Sequence, residues 1–130
     1  MTYKELKKTD EINTYIEQGN LVLGALGYTE HSRIHASKVA STAGKILKEL
    51  GYDAHQIELA KMAGYLHDMG NSINREDHAH TGALMAFQLL REIKMDPADI
   101  AVIITAIGNH DEKTGAAVDP VSAAVILADK

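Results

Sequence analysis

Apolar residues recur at intervals of three and four along most of the chain, and no segment alternates convincingly with a period of two. This pattern predicts helices joined by short turns. From Asp10 to Leu26, the residues Ile12, Tyr15, Ile16 and Leu23 form one apolar face, with Thr9 or Asp10 as the N-cap and Gly27 closing the helix. From Ser32 to Leu50 the face is Ile34, Val39, Ala43, Ile46, Leu47 and Leu50, and Gly51 ends it. Asp53 caps a third segment, whose stripe of Ile57, Ala60, Ala63 or Tyr65, and Leu66 runs directly into His67-Asp68. A fourth helix is expected from about His78 to Lys94 on Leu84, Phe87, Leu90 and Ile93. Asp96-Pro97 and Asp119-Pro120 are start signals, because aspartate caps a helix and proline suits its first turn. They introduce Ile100, Ile103, Ile107 and His110, and then Val121, Ala124, Val125 and Ala128. The expected fold is all-α, a single-domain bundle of about six helices over residues 1–130.

Composition narrows the chemistry. With 130 residues and 45% apolar content, the chain fits one domain with a real core. There is no cysteine, so disulfides, thiolate metal sites and cysteine nucleophiles are excluded, and any metal must be held by nitrogen and oxygen. No apolar run approaches the ~20 residues of a membrane span, and the N-terminus lacks the apolar core of a signal peptide. A cytoplasmic location with no membrane partner is expected. The formal charge of −5, with no tryptophan and no basic cluster, argues against nucleic acid as a partner. An anionic substrate would therefore need an attractor other than surface side chains.

The seven histidines matter through their positions. His31, His35, His67, His78, His80 and His110 lie at predicted helix ends or beside apolar stripes, where helix-borne side chains can converge in a bundle core. His55 falls in an exposed-looking first turn and reads as ordinary surface. A lone histidine at a helix C-terminus is explained by the helix dipole, and His31 and His35 share a face simply by being four residues apart. Asp129 is the sharper case, because VSAAVILADK ends an almost wholly apolar segment on a carboxylate. Burial would require it to be paired or to coordinate a cation. Gly44-Lys45 is not a phosphate-binding loop, since the earlier glycine is missing and isoleucine follows the lysine.

The order His35, His67-Asp68, His78, His110, Asp129 resembles the HD-domain superfamily of metal-dependent phosphohydrolases, whose pattern is H…HD…D with optional histidines between. The flanking RIHASKVA, AGYLHDMGN, HAHTGA with His78 and Gly82, AIGNHDE and AVILADK carry the likeness over about residues 28–130. The resemblance implies that His35, His67, Asp68 and Asp129 hold one metal. It implies that His78 and His110 hold a second, with Asp68 bridging the two and with His67 and Asp68 at the catalytic centre. Asn71 and Arg75 then read as substrate contacts and His80 as an outer ligand or substrate contact. His31, Asp77 and Asp111 read as side chains that orient the ligands from behind.

One or two divalent ions are implied, with Fe, Mn or Zn foremost and Mg, Ni or Co also compatible. The implied reaction is attack of a metal-activated bridging hydroxide on the phosphorus of a nucleotide or other small phosphate ester or anhydride. Two other readings stand beside it: a diiron oxygenase of the same fold, and a non-catalytic metal- or nucleotide-binding regulatory domain. A homodimer is left open. Members of the superfamily usually continue as helix beyond the last aspartate, so truncation after Asp129 is expected.

Overall fold

Capping residues set the helix starts in the computed structural model, which describes residues 1–28 and 32–130. The elements are α1 (Tyr3–Leu6), α2 (Asp10–Ala25), α3 (Arg33–Glu49), α4 (Ala54–Leu66), a 3-10 turn (Met69–Ser72), α5 (His78–Glu92), α6 (Pro97–Gly108) and α7 (Pro120–Ala128). No strand occurs among the described residues. Ser32, Asp53, Asp96 and Asp119 each accept a first-turn amide, satisfying donors that a helix start otherwise leaves unpaired. The six expected helices are present. The additional α1 is a single turn held by a Thr2–Glu5 capping box, too short to show a period.

Helix α4 is the axis of the bundle, packed against α1, α3, α6 and α7. Its expected stripe is in fact a buried circumference: Leu59, Ala60, Met62, Ala63, Gly64, Tyr65 and Leu66 are all covered, and Ile57 is only half-buried. A helix that is apolar all round belongs inside a core, and α4 delivers its C-terminal end to the centre of the molecule. Each large aliphatic side chain buried there contributes roughly 1.5–3 kcal/mol.

Two expected faces are rotated. In α3 the buried side is Ala36, Val39, Ala40, Ala43 and Leu47, with His35 at its edge, which turns Ile34 out to 82% exposure and Leu50 to 69%. In α5 the buried residues are His78, Ala79, Gly82, Ala86 and Leu90, leaving Leu84 at 70% exposure and Phe87 and Ile93 also exposed. The reason is spacing. Residues 78, 82, 86 and 90 are four apart, and the small Gly82 and Ala86 in the middle of this face let α5 approach α6 and the 3-10 turn closely.

Gly70 marks the closest approach. A Cβ at this position would collide with the carbonyl oxygen of His78 and would lie 2.6 Å from the Gly82 nitrogen. The glycine therefore admits the first turns of α5, carrying His78, against the turn that follows Asp68. No helix among the described residues is long and apolar enough to cross a membrane.

Candidate metal centre

Five helix ends and the 3-10 turn meet at one point. His67 is the C-cap of α4, and Asp68 follows as the N-cap of the 3-10 turn. His78 opens α5, His110 lies two residues beyond α6, Asp129 is the C-cap of α7, and His35 comes from the first turn of α3. His67 is fully buried, while Asp68, His78 and His110 are nearly so. His35 and Asp129 are more open, their side chains 28% and 26% exposed, so the cluster has one accessible side.

Asp68 divides its carboxylate between two groups. Its Oδ2 lies 3.2 Å from His67 Nε2 and 3.6 Å from His35 Nε2. Asp129 Oδ1 completes that half, 3.2 Å from both of these histidine nitrogens. The other oxygen of Asp68, Oδ1, lies 3.6 Å from His78 Nε2 and 3.6 Å from His110 Nε2. Nitrogen and oxygen atoms of His35, His67 and Asp129, and again of His67, Asp68 and His110, lie within 4.8 Å of one another. These are spacings that one central ion can span at ~2.0–2.2 Å from each donor.

The orientation of the rings is set by the backbone. His67 Nδ1 donates to the Gly64 carbonyl at 2.6 Å, His110 Nδ1 to the Ile107 carbonyl at 2.6 Å, and His78 Nδ1 to the Arg75 carbonyl at 3.0 Å. In each case the acceptor is three residues earlier. With Nδ1 protonated, the neutral tautomer leaves a lone pair on Nε2, directed into the cluster. The expectation that carboxylates such as Asp77 and Asp111 would orient the histidines is replaced by these carbonyls. Sequence reading missed them, because a main-chain acceptor leaves no mark in side-chain identity.

Electrostatics tests whether a cation fits. His67 Nε2 is buried, 3.2 Å from oxygens of both Asp68 and Asp129, yet aligned for a hydrogen bond with neither. Such an orphaned atom is costly unless an ion takes its lone pair. His78 Nε2 and His110 Nε2 face each other at 3.1 Å, and with both Nδ1 atoms protonated the neutral rings would oppose two lone pairs there. A cation removes both difficulties, so the donor set fits a divalent metal. Burial alone would lower the His67 pKa, but the carboxylates of Asp68 and Asp129 overcome it and push the metal-free ring up to about 10. Burial lowers the pKa of His78, and the positive charge of Arg75 and the nearby His110 reinforce that. Burial opposes ionisation of Asp129, but the hydrogen bond from His35 and the charge of the adjacent His67 ring hold its carboxyl far below the usual range.

The remaining expected site residues separate clearly. Arg75 reaches the cluster, its Nη1 3.8 Å from Asp68 Oδ1, and lines a cavity of about 260 Å³ with His78, His110, Lys113, Asp129 and Lys130. Asn71 is fully buried in the 3-10 turn and accepts from Arg75 Nη1 at 3.3 Å, so it cannot itself meet a substrate. His80 and Asp77 are exposed and pair with each other at 2.7 Å, away from the cluster. Asp111 lines the cavity and caps the Lys113 amide at 3.1 Å. His31 lies outside the described residues. His55 pairs with Asp99 at 2.7 Å on the surface.

Comparison with known proteins gives the same frame. The HD domain family matches residues 33–130. An uncharacterised protein of Methanocaldococcus jannaschii is 32% identical over 108 residues, covering 72% of this chain and 42% of its own length. Ribonuclease Y of Chlorobaculum tepidum is 36% identical over 103 residues, and that of Enterococcus faecalis 32% identical over 131. These alignments cover 77% and 85% of this chain but only 18% and 23% of the ribonucleases, so the chain spans a small part of those relatives. The crystal structure of a predicted HD superfamily hydrolase from an uncultured Thermotogales bacterium superposes with a TM-score of 0.70 at 24% identity. It covers 99% of this chain and 72% of its own, and supports the fold.

Proposed function

This chain belongs to the HD domain family, and on that premise we propose that it is a metal-dependent phosphohydrolase that cleaves a nucleotide or other small phosphate ester or anhydride. The observation that carries this reading is the split carboxylate of Asp68, with one oxygen toward His35 and His67 and the other toward His78 and His110. That arrangement suits two ions sharing one bridge. His35, His67, Asp68 and Asp129 would hold the first, and His78, His110 and Asp68 the second. A bound pair of divalent cations lowers the pKa of a coordinated water and neutralises phosphoryl oxygens during in-line displacement.

The protein supplies the rest. Carbonyls of Gly64, Arg75 and Ile107 fix three imidazoles with their lone pairs inward, so little reorganisation is needed when charge develops. Burial of His67, His78 and His110 excludes water from the inner side, leaving the cavity as the approach. Arg75 stands at its wall with a forked guanidinium suited to two phosphate oxygens. Lys113 and Lys130 stand nearby, although Lys130 is engaged with Glu112 at 3.0 Å. Metal ions and Arg75 together would make a local positive field in a chain whose formal charge is −5.

A phosphodiester substrate is the second reading, favoured by the likeness to two ribonucleases Y over this region. The chemistry at phosphorus would be the same; the difference lies in what surrounds it.

The test is metal analysis of protein purified without chelators, followed by a phosphate-release panel with manganese or iron. The panel contains nucleotides, dinucleoside polyphosphates, sugar phosphates and a short RNA. Release that chelation abolishes and that Asp68→Ala reduces by more than ~100-fold supports the proposal. A redox-active diiron signal with no turnover of any phosphate compound overturns it in favour of oxygen chemistry. Absence of both metal and turnover favours a binding role.

A further inference from the structure

We propose that Asn71 is a positioning residue: it never meets the substrate, but fixes the Arg75 guanidinium at the mouth of the metal centre so that this guanidinium can receive phosphate. The inference rests on the phosphohydrolase reading above and adds to it the residue that aims the arginine.

Asn71 sits at the centre of the 3-10 turn, its amide donating to the Asp68 carbonyl at 3.0 Å. Its side chain is sealed by α2: a Cβ built on Gly19 would lie 3.2 Å from the Asn71 Cβ, so that helix passes directly over it. Exposure of Asn71 is 0%, which removes it from any direct contact with a ligand.

Its oxygen nonetheless reaches the site through Arg75. Nη1 of Arg75 donates to Asn71 Oδ1 at 3.3 Å and stands 3.8 Å from Asp68 Oδ1. A guanidinium has donors only, so the carbonyl end of the asparagine must face it. That orientation leaves the opposite end, Nδ2, buried with no hydrogen-bond partner. A buried donor without a partner destabilises the fold, and leucine has nearly the same shape without that defect. Stability alone would favour the apolar side chain. What the amide supplies in return is a neutral anchor for a long, partly exposed arginine, whose side chain is 32% exposed.

The anchor matters because the alternative partner is Asp68. A guanidinium with no second hold would close on that carboxylate, competing with the metals for its oxygen, or swing into solvent. Held by Asn71, it keeps its remaining N–H groups for two phosphate oxygens. The same residue also supplies the carbonyl that orients His78, so the Arg75 backbone and side chain are placed by one short turn.

The experiment uses the metal-loaded full chain and inorganic phosphate as the probe, with affinity read by calorimetry beside metal content and Tm. Asn71→Leu is expected to weaken phosphate binding roughly 10-fold, with metal content retained and Tm unchanged or raised. Arg75→Ala weakens binding at least as much, and adding Asn71→Leu to it produces no further loss. Asn71→Ala, which removes the same oxygen with less bulk, must show the same dependence on Arg75. Equal weakening by either Asn71 variant with and without Arg75 overturns the proposal, as does loss of metal in both of them. Phosphate binding that is unchanged in both overturns it while leaving the phosphohydrolase reading intact. Failure of phosphate to bind the metal-loaded wild-type chain overturns that reading, and this inference with it.

Discussion

His78 and His110 present their Nε2 atoms to each other at 3.1 Å while each commits Nδ1 to a carbonyl three residues earlier. Neither ring can turn away without giving up that bond. Two imidazole lone pairs held at this distance repel unless a cation lies between them or one ring takes a proton. On the two-ion reading, this half of the centre should depend strongly on its metal.

His78→Ala and His110→Ala should each remove one ion and leave the other, held by His35, His67, Asp68 and Asp129. Asp68→Ala should remove both, because its two oxygens serve both halves. Metal-to-protein ratios by mass spectrometry check this. Equal loss in all three variants would mean a single shared ion.

Metal and proton should compete at His67. In the metal-free protein the ring titrates near 10, above its unfolded value of ~6.5. A raised histidine contributes stability that is fully present below the unfolded value and lost as pH rises through the folded one. The metal-free Tm should accordingly fall between about pH 6.5 and 10 as the proton leaves. The metal replaces that proton, so apparent metal affinity should strengthen across the same range and binding should release a proton. Thermal unfolding with and without chelator, and calorimetry in buffers of different ionisation enthalpy, read both effects.

Gly70→Ala should damage the centre without touching a ligand. The new methyl group would collide with the His78 carbonyl and crowd Gly82, so α5 must shift outward and take His78 from Asp68. Expected are a loss of ~1–3 kcal/mol in stability and weaker binding of the second metal. Gly24→Ala, with open space around its Cβ, is the control and should retain metal binding.

His55 and Asp99 tie the start of α4 to the start of α6 at 2.7 Å, and the hydrogen bond to Asp99 raises the His55 pKa. Its contribution should be present below about pH 6.5 and fade as pH rises above it. The Tm difference between wild type and His55→Gln should thus be larger at pH 5.5 than at pH 8.5. The pair is exposed, so the difference should be small.

The six longer helices, their starts and the order of the cluster were legible because their signals are local: aspartate before proline, serine before an apolar run, and histidine at a helix end. The inward face of α5 was not, because Leu84 and Phe87 are the more conspicuous hydrophobes, whereas packing selected the small residues four apart. Gly70 has the local signature of a helix stop, while its role is the close passage of another chain segment. Asn71 was read as a substrate contact, yet it lies in a buried 3-10 turn beneath α2. In each case the missing information is a distance between segments far apart in sequence.

The carbonyls of Gly64, Ile107 and Arg75 that hold the histidine rings belong to the main chain, and every amino acid carries that oxygen. An alanine scan would pass over all three acceptors without registering them, and the neighbouring side chains can diverge while the aim of the rings is retained. The device is thus concealed from genetics of the ordinary kind. It can be exposed only by chemistry that edits the backbone, such as exchanging an amide for an ester, or by a proline that forces the turn open.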